Sequence, residues 1–86
     1  MPEVWEVQIH RKVNDVVYTL PPSLVTALRQ VIWNLQIDPY PLGSRRVGSS
    51  YDLFELFVRL YRIVYQVNEE QNLVRVVRIH TGNETK

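Results

Sequence analysis

The chain has 86 residues, a formal net charge of +1 and no cysteine. Because so short a chain can bury only one core, we expect a single domain over residues 1–86. The apolar fraction of 45% and the charged fraction of 22% exclude a disordered tail, and the missing thiols exclude disulfides and thiolate metal sites. Neither a signal peptide nor a membrane-spanning apolar run is recognisable, and we expect a cytoplasmic protein with no membrane partner.

The N-terminal half predicts one strand followed by two helices. The segment 4–9 alternates between two faces, as in a half-buried strand. From Lys12 the apolar residues take helical spacing, and the proline pair at 21–22 ends this first helix. Ser23 is the predicted N-cap of the second helix, with a proline in its first turn as the alternative. The apolar face of the second helix consists of Leu24, Ala27, Leu28, Val31, Ile32 and Leu35.

The C-terminal half predicts three strands. A proline-rich break at 38–43 is followed by a basic loop at 44–50. Alternation of apolar and polar residues then predicts strands over 52–58, 61–67 and 73–80, and their short connections favour antiparallel hairpins. The order β-α-α-β-β-β predicts an α+β domain, in which the N-terminal helix pair packs on one face of a small, antiparallel-dominated sheet.

Most familiar enzyme chemistries have no residues to support them in this sequence. The three glycines form neither a phosphate-binding loop nor a dinucleotide fingerprint, and no serine lies in a nucleophile elbow. His10 and His80 are far apart in the chain and lack clustered carboxylates. We therefore expect no metal site and no cofactor.

Arginines and one histidine on a sheet face remain as the candidate site. Six of the seven cations after residue 40 are arginines, whose planar guanidinium suits phosphate. Alternation places Arg62 on the face away from the helices, and places Arg78 and His80 on that face together with Val76. The basic loop, with Arg45 and Arg46, is expected to fold over the same surface. This pattern predicts a cationic cleft for a phosphodiester, in which Arg62 holds the phosphate and His80 transfers a proton.

Other interpretations of the same residues are open. Arginines on a solvated sheet face can serve solubility alone, and a histidine at a strand end is commonly a surface or capping residue. Glu55 is either a general base or a salt-bridge partner of Arg62, and we favour the salt bridge. We assign Tyr61 and Tyr65 to the core. Trp33 is also assigned to the core, with a partner-binding surface as the alternative.

Six segments along nearly the whole chain carry a family resemblance. They are Trp5-Glu-Val-Gln-Ile, Leu20-Pro, Leu35 with Asp38-Pro, Leu53-Phe-Glu-Leu, Tyr61-Arg-Ile-Val-Tyr-Gln-Val and Val76-Val-Arg-Ile-His. In order and spacing they resemble the RelE/ParE toxin superfamily of bacterial toxin–antitoxin systems. The segment that begins at Tyr61 is the most specific of the six.

The resemblance implies a toxin that a small cognate antitoxin neutralises. RelE-like members cut mRNA in the ribosomal A site, so the implied partners are the ribosome and mRNA, and the implied activity is that of an endoribonuclease. Arg62 matches the strand arginine of the family, and His80 matches a histidine that some ribosome-dependent members carry. These two are the expected catalytic residues, and the expected phosphate-binding residues are Arg45, Arg46, Arg59 and Arg78.

Two other functions stay open at this point. ParE-like members poison DNA gyrase without catalysis, and a degenerate member could act only by binding its antitoxin. RelE has lysines on the first of the three C-terminal strands, where this chain carries Asp52 and Glu55. In the nucleases of the family, a basic tail and a final helix usually stand where this sequence has the segment 82–86.

Overall fold

Residues 4–81, which a computed structural model of the chain describes, form two helices and a five-stranded sheet. In chain order the elements are β1 (Glu6–Ile9), α1 (Arg11–Val17), α2 (Pro22–Asn34), β2 (Arg45–Arg46), β3 (Leu53–Val58), β4 (Tyr61–Asn68) and β5 (Leu73–Thr81). The strand order is β1-β5-β4-β3-β2, with β1 parallel to β5 and every other pair antiparallel. The predicted α+β class is confirmed. The strand β2 was not predicted, since its residues were expected to lie in a loop. The tail at 82–86 lies outside the described residues.

Both helices begin at residues that the backbone chemistry explains. The Nδ1 atom of His10 accepts a hydrogen bond of 3.1 Å from the backbone N–H of Lys12, so His10 caps α1. The predicted cap Ser23 is wrong, because Pro21 is the N-cap of α2 and Pro22 is its first residue. A proline is tolerated there because the backbone N–H that it lacks would have no acceptor within the helix. Within residues 4–81, neither helix has the length and apolar character needed to cross a membrane.

The core lies between the helix pair and one face of the sheet. Its fully buried side chains include Leu28 of α2, Ile63 and Tyr65 of β4 and Val74 of β5. The Tyr65 hydroxyl donates a hydrogen bond of 2.9 Å to the carbonyl of Pro39, which ties the segment after α2 to the sheet. The core assignment of Tyr65 is confirmed, and Tyr61 packs against the core from its margin.

The core assignment of Trp33 is wrong, because this side chain is 69% exposed on the outer side of α2. Ile37, four residues further along the chain, is 72% exposed. Two large apolar side chains therefore reach solvent near the end of α2.

A β-bulge in β5 decides which side chains share a face. The partner of Val64 is Arg78, but the partner of the next residue, Tyr65, is Val76, so Val77 is the extra residue. Val76 consequently turns into the core and is fully buried. Arg78 stays on the face away from the helices, which we call the open face. The prediction that Val76 shares this face is wrong, because strict alternation does not allow for the extra residue.

Candidate functional site

A buried carboxylate lies between two arginines on the open face. Glu55 of β3 is only 6% exposed. Its Oε1 atom lies 3.1 Å from Nη1 of Arg62, and its Oε2 atom accepts a hydrogen bond of 2.6 Å from Nε of Arg45. The register of β2 against β3 explains the second contact, since Arg45 stands directly opposite Glu55. The favoured salt bridge between Glu55 and Arg62 is confirmed, and we call the three residues the Arg45–Glu55–Arg62 cluster.

His80 extends this cluster on the neighbouring strand. It stands opposite Arg62 in the β4–β5 register, and its Nε2 atom lies 3.3 Å from Nη2 of Arg62. Its Nδ1 atom lies 3.2 Å from the carbonyl oxygen of Thr81. Because a carbonyl can only accept and a guanidinium can only donate, Nδ1 carries the proton and Nε2 presents its lone pair. The two contacts therefore fit the tautomer in which Nδ1 faces the carbonyl of Thr81 as donor and Nε2 faces the arginine as acceptor.

The other predicted phosphate-binding residues occupy separate places. Arg78 is exposed on the open face, two residues before His80 in β5 and opposite Val64. Arg59 lies in the β3–β4 turn with φ of 56°, a left-handed conformation that is uncommon for a residue with a side chain. Arg45 and Arg78 thus share the open face with the pair, and Arg59 stands at the end of the hairpin that carries Arg62.

Arg46 points to the opposite side of the sheet. Its guanidinium carbon lies 5.2 Å from the centre of the Phe54 ring, and its Nη1 donates a hydrogen bond of 2.8 Å to the carbonyl of Tyr51. Consecutive residues of a strand face opposite sides, so the two arginines of β2 are separated by the sheet. The expectation that Arg45 and Arg46 cover one surface is wrong for Arg46.

Arg46 instead borders a cleft of about 580 Å³ whose lining includes Tyr40, Phe54 and Glu69. The rings of Tyr40 and Phe54 meet edge to face at 5.0 Å, and the Tyr40 hydroxyl donates a hydrogen bond to Glu69. Burial and then this contact with Glu69 raise the pKa of Tyr40 to about 12. Burial also raises the pKa of Tyr65.

We expect Tyr40 and Tyr65 to ionise above the usual pKa of tyrosine in an alkaline titration followed by tyrosinate absorbance. Tyr40→Phe should remove the step near pH 12, and Tyr18→Phe should leave it in place. Since the fold disfavours the Tyr40 anion, its contribution to stability is complete below pH 10 and is lost as the pH rises toward 12. A step near pH 12 that survives in Tyr40→Phe would contradict the assignment.

Metal chemistry finds no support in the part of the chain that the structure describes. Residues 4–81 contain no group of three or more histidine, cysteine, aspartate or glutamate side chains arranged to hold an ion. What the Arg62–His80 pair can do is hold an oxyanion next to a proton acceptor.

Comparison with known proteins decides the family. Residues 6–85 match the family model described as the ParE toxin of the type II toxin–antitoxin system, parDE. The chain belongs to this toxin family. The RelE/ParE resemblance predicted from the sequence is thereby confirmed, and the protein is a type II toxin–antitoxin toxin. No curated protein matches its sequence.

Solved toxin structures share the fold of this ParE-family toxin at low sequence identity. The RelE of the archaeal RelE–RelB complex from Pyrococcus horikoshii is 18% identical with a TM-score of 0.86, over 95% of this chain and 99% of that one. The RelBE2 toxin–antitoxin complex of Mycobacterium tuberculosis gives 17% identity and a TM-score of 0.80, over 94% of each chain. Isolated Escherichia coli RelE gives 17% and 0.80, over 95% of this chain and 88% of that one. At these identities the likeness shows the fold.

Proposed function

We propose that this toxin is a ribosome-dependent mRNA endonuclease that inhibits translation in the cytoplasm. The observation that carries the proposal is the 3.3 Å contact between Nη2 of Arg62 and Nε2 of His80. A guanidinium beside an imidazole supplies a phosphate-binding group and a group that can accept a proton in one place. Arg78 and Arg45 add positive charge to the same face.

The chemistry that this pair supports is transfer of the RNA phosphate to the neighbouring 2′-hydroxyl. When the Arg62 guanidinium turns to the phosphate it releases His80 Nε2, which then takes the proton of the 2′-hydroxyl as the hydroxyl oxygen forms a bond to phosphorus. The bond from phosphorus to the 5′ oxygen breaks, and the leaving oxygen takes a proton from water. Arg62 offsets the negative charge that grows on the phosphate oxygens in the transition state. The products are a 2′,3′-cyclic phosphate and a 5′-hydroxyl end.

The test uses purified toxin, ribosomes programmed with a defined mRNA, and primer extension to map new 5′ ends. We expect cuts on ribosome-bound mRNA and none on the naked transcript. His80→Gln should slow cleavage about 10²-fold, because it removes the proton acceptor. His10→Gln is the matched control, since the side chain of His10 caps α1. An equal loss of cleavage in both variants would contradict the proposal, and so would a ribosome-bound message that folded wild-type toxin leaves uncut.

Inhibition of DNA gyrase is the second candidate, and one contact favours it. Glu55 binds both Arg45 and Arg62, so the open face has less free positive charge than its arginines suggest. A toxin that works by protein binding alone needs no free phosphate site. This candidate predicts intact ribosome-bound mRNA in the primer-extension assay, and trapped gyrase–DNA complexes when the toxin is mixed with gyrase and DNA.

A small antitoxin encoded next to the toxin is the proposed cognate partner. The solved structures that share this fold include RelE–RelB toxin–antitoxin complexes. We propose that a segment of the antitoxin orders on contact and lies over the helix pair, where Trp33 and Ile37 offer apolar anchors. Co-purification after joint expression tests this partner, and failure of the neighbouring gene product to co-purify would overturn it.

A further inference from the structure

The Arg45–Glu55–Arg62 cluster has the geometry of an occupied oxyanion site. Each carboxylate oxygen of Glu55 meets a different arginine, Oε2 at 2.6 Å from Arg45 and Oε1 at 3.1 Å from Arg62. The side chain of Glu55 is only 7% exposed, whereas that of Arg45 is 70% exposed and that of Arg62 is 34% exposed. The anion is therefore internal to the protein, while both cations reach solvent.

Carboxylates and phosphates present similar pairs of oxygens to a guanidinium group. We propose that Glu55 is an internal competitor that fills an oxyanion site between Arg45 and Arg62 and thereby lowers the affinity of the toxin for the phosphate groups of RNA. The choice of RNA phosphate as the ligand rests on the proposed function. It is supported by Arg78 on the same face, because a chain of phosphates can use successive cations whereas a single carboxylate cannot.

Contacts other than Glu55 also hold the Arg62 side chain in place. Its Nη2 atom lies 3.3 Å from Nε2 of His80, and the pairing of β4 with β3 and β5 fixes its backbone. Loss of the Glu55 charge should therefore leave Arg45 and Arg62 able to bind an external anion without displacing Arg62. If Glu55 served only to position the two arginines, its neutralisation would weaken anion binding. The two roles therefore predict changes of anion affinity in opposite directions.

Asp52 provides a matched control next to the same strand. It is bound by Nε2 of Gln66 at 2.8 Å and by the hydroxyl of Ser50 at 3.0 Å. Asp52→Asn and Glu55→Gln remove the same charge, but only the second releases Arg45 and Arg62. A difference between the variants separates the specific site from net charge.

The experiment titrates inorganic phosphate, and then a 2′-O-methyl RNA trinucleotide that cannot be cut, into each purified protein. Arginine side-chain NMR signals report the binding. Glu55→Gln should bind both probes about tenfold more tightly than the wild type, with shifts at Arg45 and Arg62, and Asp52→Asn should differ by less than about twofold. Unchanged or weaker binding by Glu55→Gln, or an equal gain in Asp52→Asn, would overturn the proposal.

A second variant keeps the test decisive if Glu55→Gln does not fold. Glu55→Asp keeps the charge on a side chain one methylene shorter, which cannot hold both arginines at the observed distances, and it should show a smaller gain of the same sign. Neither assay contains ribosomes or gyrase. A gain in phosphate affinity without mRNA cleavage would therefore overturn the proposed function alone, and cleavage without any gain would overturn the competitor role alone.

Discussion

Replacing Arg62 by alanine should slow ribosome-dependent mRNA cleavage about 10³-fold, at the upper end of the loss seen when one oxyanion-stabilising donor is removed. The variant loses the cation that faces the phosphate and the partner of His80 Nε2. Arg62→Lys should lose most of the activity as well, because a single ammonium cannot contact Glu55 and His80 with the geometry of a guanidinium. Antitoxin affinity should fall by less than about tenfold, since one cation at the rim of an interface adds little beside apolar burial.

Arg75→Ala is the matched control for this prediction. Arg75 is an exposed arginine of β5, and its Nη2 lies 3.4 Å from Oε1 of Gln8, away from the cluster. It should retain near-normal cleavage, measured by primer extension under single-turnover conditions, and near-normal antitoxin affinity, measured by calorimetry. A comparable loss of cleavage and of antitoxin binding in Arg62→Ala would show that the variant is damaged in folding rather than in chemistry.

Replacing Leu28 by alanine should lower the free energy of unfolding by about 3 kcal/mol. Leu28 is 1% exposed in the middle of α2 and packs into the core between the helices and the sheet. The change removes buried methyl groups and leaves a cavity that a small, tightly packed core fills only in part. In a domain of this size such a loss is a large share of the total stability.

Urea unfolding followed by circular dichroism measures this effect. Leu42→Ala is the control of identical chemistry, because Leu42 is fully exposed in the segment that follows α2. Its free energy of unfolding should differ from that of the wild type by no more than about 0.5 kcal/mol, as for ordinary surface substitutions. Equal destabilisation by the two leucine changes would mean that Leu28 does not lie in the core described above.

The elements with strong periodicity could be predicted from the sequence because burial on one face dictates the pattern. The apolar stripe of α2 lies in the core, and alternate residues of β3 and β4 face the core as predicted. The strand β2 escaped prediction because two residues are too few for a period. The sequence feature that indicates β2 is the turn containing Gly48, which joins Arg45 and Arg46 to β3 in a hairpin.

Alternation correctly predicted that Arg62, Arg78 and His80 share the open face, whereas the prediction that Arg46 covers the same surface is wrong. Register brings Arg62 and His80 together, as two adjacent antiparallel strands allow. The bulge at Val77 could not be read from alternation, because one inserted residue changes the phase of the strand without changing its composition. The double contact of Glu55 depends on β2, so the sequence indicated its pairing with Arg62 and not that with Arg45.

Induction of the toxin in growing cells, with labelled methionine and labelled thymidine supplied together, distinguishes RNA cleavage from gyrase inhibition. We expect methionine incorporation to stop first and new 5′ ends to appear within translated messages. Co-expression of the antitoxin should prevent both effects, and so should the Arg62→Ala substitution. Thymidine incorporation that stops first, with trapped gyrase–DNA complexes and intact messages, would contradict the assignment of the Arg62–His80 pair to RNA cleavage.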